Sequence, residues 1–291
     1  MGVIGNALLF TMMRDKKLKS LSYSVYLKLL FISDSVLLSI KILQETERTF
    51  ALRSLASINI GLCKILFGIK FLIMVLSPWL MVGLTLDRYV CVCFPLTREI
   101  LCTRMKAIAV CLCILVLAVA LTVPFLVEMK LVRGKCATSE GIRYYFIFTR
   151  LMFSSILPCL AILVLNILII IHIHRSHNFR SMFMRSGNKS SSRKLDSSTS
   201  PLVLVSVLAF VTLLPASLAE AAEVSLIILK ANVRAKALLS KFWAFFVLLY
   251  LLNFGQNFYI LIASSSNYRN IIRDRLACYC LKRNRRNQQS S

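Results

Sequence analysis

Acidic residues and histidines are scarce in this sequence. Its 291 residues include 12 Asp and Glu against 36 Lys and Arg, and only three His. The histidines lie close together at positions 172, 174 and 177. Because no histidine, cysteine or carboxylate group has the spacing of a metal or nucleophile centre, the sequence predicts no enzymatic activity.

The sequence shows neither the pattern of a cleavable signal peptide nor an internal repeat, so we expect neither. The opening apolar run ends at Arg14 without a small-residue cleavage site, so the first helix would itself act as the signal. Neither an internal repeat nor a pair of broken helices is present, and this argues against a transporter.

Long apolar stretches dominate what is present. Hydrophobic residues make up 58% of the chain and its mean hydropathy is +0.74, well above soluble domains. Stretches long enough to span a bilayer lie near 22–43, 60–90, 105–127, 146–174, 199–229 and 240–264. With the opening run they predict an all-α membrane protein, a seven-transmembrane helix bundle. Residues 1–13 rise only about 20 Å, so the first helix is predicted to be truncated.

The basic residues are divided unevenly between the two sides of this bundle. The net charge is +24, but long apolar spans separate the basic clusters, so we expect no nucleic-acid partner. Of the 36 Lys and Arg, 21 fall on one side, 12 on the other and 3 within spans. Since basic loops favour the cytoplasm and anionic lipid, the C-terminus is predicted to be cytoplasmic.

The cysteines agree with this topology. Of the ten cysteines, only Cys63 and Cys136 fall on the outer side. Two cysteines in an oxidising compartment are expected to pair, although two unrelated free thiols remain the alternative.

The most specific pattern is the run of residues 87–96, D-R-Y-V-C-V-C-F-P-L. It resembles the end of the third transmembrane helix and the second inner loop of rhodopsin-like (class A) G-protein-coupled receptors. Cys63 lies 25 positions before Arg88, and Asn6 lies 28 positions before Asp34, as this family expects. Residues 12–27, 86–96 and 101–103 are most similar to invertebrate neuropeptide receptors of the FMRFamide-receptor-like group.

The resemblance implies a plasma-membrane receptor that promotes nucleotide exchange on a heterotrimeric G protein. Arg88 would be held by Asp87 at rest and freed when the sixth helix swings outward. The coupling residues that it implies are Asp87, Arg88, Tyr89, Pro95 and Leu96. Simple anchoring of a basic residue at the inner membrane surface is the alternative for Arg88.

A second implied site lies in the bundle centre. Asp34, Ser77, Asn253 and Asn257 all carry oxygen, and the resemblance places them in the family's sodium pocket. Oxygen ligands suit a hard cation. The alternative is a hydrogen-bonded polar cluster that holds no ion. Apart from this sodium ion, no cofactor is expected.

Charged residues mark a predicted ligand site near the outer side. The positions are Lys70, Arg150, Glu220 and Glu223. Lys70 stands where amine receptors carry an aspartate, so an amine ligand is not expected. Mixed signs suit an extracellular peptide, although Lys70 could instead pair internally with a glutamate.

Several family positions are altered. Ile114 or Leu115 replaces a tryptophan of the fourth helix, and Thr212 and Leu213 replace the C-W of the sixth-helix C-W-x-P. In the seventh helix, Phe258 replaces the proline of the N-P-x-x-Y motif. These changes leave open a chemosensory receptor of the same fold or a nonsignalling decoy. A light-sensing pigment is not expected, because the seventh helix offers no lysine in mid-membrane between Lys241 and Leu261.

The predicted organisation has three parts. Residues 1–264 form the receptor bundle, with a flexible third cytoplasmic loop at 175–198 that is basic and serine-rich. Residues 265–291 form a short amphipathic eighth helix and a basic tail. Cys278 and Cys280 are predicted lipidation sites on the inner leaflet, with an ordinary polar tail as the alternative.

Overall fold

The structure of the protein is a computed structural model. It describes residues 2–13, 18, 21–52, 54–132, 135–183, scattered positions between 204 and 226, residues 233–264, and residues 269, 270 and 273. Glu220, Glu223, Cys278, Cys280 and the side chain of Asn257 fall outside the described residues, as do most of the predicted sixth helix, the basic loop from 184 on and most of the tail.

Within the described residues the chain is almost entirely helical. The first three helices span Gly2–Met12, Tyr23–Thr49 and Ile60–Cys93, with a 3-10 turn at Leu55–Ser57 before the third. The fourth helix is Arg104–Glu128. The fifth comprises Glu140–Leu151, a π turn at Met152–Ile156, and Leu157–Phe183. The predicted seventh helix comprises Val233–Gly255 and Asn257–Ser264.

Three of these helices are long and apolar enough to cross a bilayer. They are Ile60–Cys93, Arg104–Glu128 and the continuous stretch Glu140–Arg175. Apolar side chains on the fourth helix, such as Leu112 and Val116, are exposed and would face lipid. The all-α membrane fold predicted from the sequence is therefore confirmed.

The third helix occupies the centre of the described bundle. It packs against the second, fourth and fifth helices. Close approach is allowed by small residues on its surface: a Cβ atom on Gly83 would lie 2.7 Å from Cε1 of Tyr26, and one on Gly68 would lie 2.6 Å from Cδ2 of Leu126. Glycine at these positions lets the second and fourth helices lie directly against the third.

Among the residues that the structure describes, buried apolar side chains form one core toward each end of the third helix and a third core against the seventh. The inner core surrounds Tyr26, Leu27, Leu80 and Leu84. The second core joins Leu37, Leu38, Ile73 and Phe254. The outer core surrounds Cys63, Phe71, Phe125 and Met129. The side chains of the coupling motif and of the disulfide are therefore held by packing at opposite ends of one helix.

A short hairpin lies between the fourth and fifth helices, where the sequence analysis expected no strand. Strand β1 (Lys130–Val132) pairs antiparallel with β2 (Lys135–Ala137), and Leu131 faces Cys136 in the register. Three-residue strands show no clear alternation of apolar and polar residues, so they leave little trace in a sequence. The hairpin positions Cys136 beside the third helix.

Helix boundaries depart from the apolar stretches in several places. The fifth helix extends from Glu140 to Phe183, so residues 175–183, which were predicted to begin the flexible loop 175–198, are helical. The second helix continues to Thr49, six residues beyond its predicted apolar span. Its last turns consist mostly of polar residues, which the hydrophobic pattern does not detect. The seventh helix is interrupted at Gln256, and a Cβ atom on neighbouring Gly255 would lie 3.3 Å from Cα of Gly2. The first and seventh helices therefore approach backbone to backbone.

Candidate functional site

The inner end of the third helix holds a buried ion pair. Nη2 of Arg88 donates to Oδ2 of Asp87, and both side chains are buried. The guanidinium carbon of Arg88 also lies 4.4 Å from the ring centroid of Tyr23, the first residue of the second helix. A carboxylate and an aromatic face thus hold one cation, an arrangement in which each contact is strengthened by burial.

The chain leaves the third helix shortly after this pair. The third helix ends at Cys93, where the N–H of Phe94 still donates to the carbonyl of Val90 at 3.0 Å. The rings of Tyr89 and Phe94 meet edge to face, with centroids 5.8 Å apart. This packing fixes the direction in which the following loop departs.

The loop presents an apolar side chain to solvent. Pro95 and Leu96 are both exposed, and Leu96 retains 95% of its accessible surface. A one-turn helix, Arg98–Leu101, follows. Phe94, Leu96 and Ile100 are exposed apolar residues of this segment, and a protein partner could cover them together.

A buried polar pair joins the second and third helices in mid-bundle. Oγ of Ser77 donates to Oδ1 of Asp34 at 2.7 Å, and both residues are almost fully buried. Pro78 follows Ser77 within the helix. The structure therefore brings together two of the four residues predicted to bind sodium.

Asn253 makes a different contact. Its Oδ1 lies 3.2 Å from Oγ1 of Thr212, and Nε2 of Gln256 lies 3.5 Å from the same hydroxyl. Nearby, Nδ2 of Asn6 donates to the carbonyl of Phe254 at 3.0 Å. Side-chain hydrogen bonds thus join Thr212, an altered motif position, to the seventh helix, and a separate one joins the first helix to the seventh.

The fifth helix contributes buried polar residues on its outer half. Arg150 is 1% exposed, and Lys70 on the third helix is half-buried. The hydroxyls of Thr149, Ser154 and Ser155 are buried and make no hydrogen bond among the described residues. Unpaired buried hydroxyls are costly, so they mark a place where a ligand or water could supply partners.

The π turn explains how the fifth helix meets the third. Nε1 of Trp79 donates to the carbonyl of Phe153, inside the π turn, at 2.8 Å. A π turn leaves a main-chain carbonyl without its usual helical partner, and such turns occur often at functional sites. This hydrogen bond joins the middle of the third helix to the fifth helix, at the residue that precedes Ser154 and Ser155.

The outer end of the third helix is fixed by a covalent link. Cys63 and Cys136 form a disulfide whose Cα atoms are 6.1 Å apart, as the sequence analysis predicted. Beneath it the rings of Phe71, Phe125 and Phe146 pack together, with centroids 5.1 to 5.6 Å apart. The hairpin and the third, fourth and fifth helices therefore meet around one point.

A family model described as "7 transmembrane receptor (rhodopsin family)" matches residues 5–257. The chain belongs to this family. A comparison with curated proteins finds no matching relative. The matched range runs from the first helix to the seventh and includes both the coupling motif and the disulfide. The protein is thus a receptor, a multi-pass protein of the plasma membrane and not an enzyme.

The structure brings some of the predicted site residues of the receptor together and not others. The structure brings together Asp87 with Arg88, Tyr89 with the neighbouring Phe94, and Asp34 with Ser77. It places Asn253 against Thr212, a position that the sequence analysis treated only as an altered motif residue.

Two features of the receptor were not predicted from its sequence: the contact of Tyr23 and the buried hydroxyls on the fifth helix. Tyr23 lies at the inner end of the apolar stretch 22–43, and no motif singles it out. Its aromatic type at the inner membrane edge was the available signal, since cations there pair with aromatic faces. Thr149, Ser154 and Ser155 could have been found as polar residues inside an apolar span.

Proposed function

We propose that this receptor is activated by an extracellular peptide, a neuropeptide, and promotes nucleotide exchange on a heterotrimeric G protein at the inner end of its third helix. The observation that carries the proposal is the position of Arg88. It is buried between Asp87 and Tyr23, near the end of the third helix and before a loop that exposes Leu96. Only a change in helix packing would release this cation to a partner.

The release of Arg88 has a physical basis in the two contacts that hold it. Asp87 is its neighbour on the same helix, whereas Tyr23 belongs to the second helix. Relative movement of the helices would weaken the aromatic contact first, because the carboxylate moves with the arginine. A ligand that stabilises the moved arrangement would shift the receptor toward it by its differential affinity for the two states.

The proposed G-protein surface combines a charged and an apolar element. Arg88 would supply a cation once uncovered, and Leu96 with Pro95 would supply an apolar contact that is already exposed. Buried apolar anchors with an arginine nearby are typical of the residues that dominate binding energy at interfaces. This arrangement supports coupling and goes beyond anchoring of the helix to lipid headgroups.

The proposed peptide site lies on the outer half of the bundle. Lys70 and Arg150 supply positive charge, and the hydroxyls of Thr149, Ser154 and Ser155 supply donors and acceptors. Glu220 and Glu223, which lie outside the described residues, would supply the opposite charge. Groups of both signs and several hydroxyls match the chemistry of a peptide better than that of an amine or a lipid.

We also propose that sodium binds at Asp34 and Ser77 and steadies the resting receptor. A carboxylate and a hydroxyl oxygen 2.7 Å apart in a buried position are suitable ligands for a hard cation. Asn253 and Asn257 remain predicted members of this site. The basic tail is proposed to lie in the cytoplasm against anionic lipid, with acyl groups on Cys278 and Cys280.

Altered switch residues favour one alternative, a decoy that binds ligand without signalling. Thr212 replaces a residue of the family's sixth-helix motif, and its hydroxyl donates a hydrogen bond to Asn253. The experiment that decides is a screen of the cell-expressed receptor against a neuropeptide library, read by calcium or cyclic-nucleotide reporters. We expect at least one peptide to elicit a response that Arg88→Ala abolishes and Arg98→Ala preserves. Arg98 is an exposed arginine in the segment that follows the third helix and serves as the matched control.

A peptide that binds the receptor but produces no reporter signal with any G protein would instead show that the receptor is a decoy. A response confined to small odorants or tastants would establish a chemosensory receptor.

A further inference from the structure

Three metal-ligand side chains meet beside the coupling arginine. The carboxylate of Asp87 and the Sγ atoms of Cys91 and Cys102 each offer one atom, and these atoms all lie within 4.8 Å of one another. The two sulfur atoms are 2.9 Å apart. Asp87 and Cys91 are buried, whereas Cys102 is half-buried, so the cluster has one side open to solvent.

Local structure explains how these residues come together. Asp87 and Cys91 are four positions apart on the third helix, so their side chains share one face. Cys102 returns to that face because the loop folds into a single helical turn. In this turn the N–H of Cys102 donates to the carbonyl of Arg98 at 2.8 Å, and Sγ of Cys102 lies 3.6 Å from the carbonyl of Asp87.

The ligand set selects a class of metal. Thiolates favour soft or borderline ions, whereas a carboxylate is a poor ligand for Cu(I) and a good one for Zn²⁺. Two thiolates and a carboxylate carry three negative charges, which one divalent cation together with Arg88 would balance. A balanced cluster can be buried at much lower cost than isolated charges can.

We propose that Asp87, Cys91 and Cys102 bind a zinc-class divalent cation. The three residues would supply three ligands and water would supply the fourth, from the open side next to Cys102. Asp87 has two carboxylate oxygens, so one can bind the ion while Oδ2 keeps its contact with Arg88. The site would fasten the loop after the third helix to the coupling motif.

Only a small movement would be needed to form this site. Tetrahedral coordination with Zn–S bonds of about 2.3 Å separates two sulfur ligands by roughly 3.8 Å. The sulfurs of Cys91 and Cys102, which lie 2.9 Å apart, would therefore move apart by about 0.9 Å. Cys102 lies at the end of a one-turn helix in an exposed loop, where such a shift is cheap.

A disulfide between the two cysteines is the competing interpretation. It would use both sulfurs but would give no role to the carboxylate beside them. The sequence also assigns this face to the cytoplasm, where cysteine clusters serve metals more often than disulfides. Zinc binding accounts for all three side chains.

The first test uses the unaltered full-length receptor in detergent, reduced and then stripped of metal. Maleimide labelling with and without Zn²⁺, read by mass spectrometry, compares Cys102 with Cys93, a half-buried cysteine outside the cluster. We expect Zn²⁺ at micromolar concentration to slow labelling of Cys102 by at least about tenfold and to leave labelling of Cys93 unchanged. Equal labelling with and without Zn²⁺, or a Cys91–Cys102 disulfide in receptor isolated without reductant, would overturn the proposal.

The second test identifies the ligands. Co²⁺ substituted for zinc shows near-ultraviolet charge-transfer absorption that depends on thiolate ligands. We expect Cys91→Ser and Cys102→Ser each to lower this absorption and to weaken Co²⁺ binding at least about tenfold, while Cys93→Ser leaves both unchanged. Loss of absorption in Cys93→Ser, or its retention in the Cys91→Ser/Cys102→Ser double variant, contradicts the assignment. Neither test requires an agonist or a G protein, so the site can fail while the proposed coupling stands.

Discussion

The ring of Tyr23 lies 4.4 Å from the guanidinium carbon of Arg88, so a residue of the second helix shares the cation that Asp87 neutralises. This contact crosses from one helix to another at the inner edge of the bundle. It gives the second helix a direct influence on the arginine proposed to transmit the signal.

Replacing Tyr23 by leucine is expected to raise ligand-independent signalling. A cation–π contact contributes about 0.5–2 kcal/mol, so its loss would raise the population with a freed arginine by about two- to thirtyfold. Tyr23→Phe retains the ring and should behave as the unaltered receptor does. Basal nucleotide exchange in membranes, normalised to surface expression, measures the effect. Equal basal exchange in the leucine and phenylalanine variants would show that the ring does not restrain Arg88.

Gly83→Ala should destabilise the receptor. The added Cβ would lie 2.7 Å from the ring of buried Tyr26, and overpacking of this kind costs about 1–3 kcal/mol. The gain from replacing a helical glycine, about 0.5–1 kcal/mol, offsets only part of that cost.

Gly141→Ala is the matched control for this substitution, because a Cβ at Gly141 meets nothing within 4 Å. In thermal unfolding of detergent-solubilised receptor, we expect the apparent Tm of Gly83→Ala to fall by about 2–6 °C and that of Gly141→Ala to stay or rise slightly. A Tm for Gly83→Ala that is equal to or above that of Gly141→Ala would show that the second and third helices are not in close contact there.

Much of this architecture could be predicted from the sequence because its strongest signals extend over whole helices. Apolar stretches fix the spans, and the motif around Arg88 fixes the register of the third helix, which then places Cys63 at the outer end. The same register predicted the closeness of Asp34 and Ser77, which the structure joins by a 2.7 Å hydrogen bond. Each of these inferences needs only one helix, or two helices held in a known order.

The features that the sequence did not reveal depend on how helices cross. The contact of Tyr23 with Arg88 requires the angle and rotation of two helices, which no local pattern encodes. The bond of Thr212 with Asn253 likewise joins two helices through side chains that read only as altered motif positions. The π turn that frees the carbonyl of Phe153 for Trp79 involves one extra residue in a helical turn, too small a change to alter hydrophobic periodicity.

Sodium should lower agonist affinity through Ser77. If the cation stabilises the resting state at Asp34 and Ser77, replacing sodium by choline should raise agonist affinity, because an ion that binds one state better shifts the population toward it. We expect Ser77→Ala to reduce this sodium effect from severalfold to about none. Competition binding in the two salts, with Ser39→Ala as an exposed-serine control, measures it. An undiminished sodium effect in Ser77→Ala would assign the pair to a polar cluster without an ion.

The thiol of Cys102 should react slowly at neutral pH in the metal-free receptor. Burial, the hydrogen bond with the Cys91 thiol and the nearby Asp87 carboxylate raise the pKa of Cys102 from 9.0 to about 12. A raised pKa favours the neutral thiol, so the thiolate fraction at pH 8 is about 10⁻⁴ and increases about tenfold per pH unit.

Alkylation by iodoacetamide in the presence of EDTA, followed from pH 7 to pH 10, measures this titration. The rate at Cys102 should rise steadily with no plateau, whereas an ordinary exposed thiol levels off near pH 9. A plateau for Cys102 at or below pH 9 would contradict the shielding that the packing of Asp87, Cys91 and Cys102 predicts.

The most direct test of the account is the initial rate of nucleotide exchange on purified heterotrimeric G protein by the receptor in lipid nanodiscs with a saturating peptide agonist. We expect Arg88→Ala and Leu96→Asp each to lower the agonist-stimulated rate by at least about tenfold, because one removes the cation and the other removes the apolar anchor. Met105→Ala, which changes another exposed apolar residue at the start of the fourth helix, should stay within about twofold of the unaltered rate. Full agonist-stimulated exchange by Arg88→Ala would contradict the central claim that the signal passes through the inner end of the third helix.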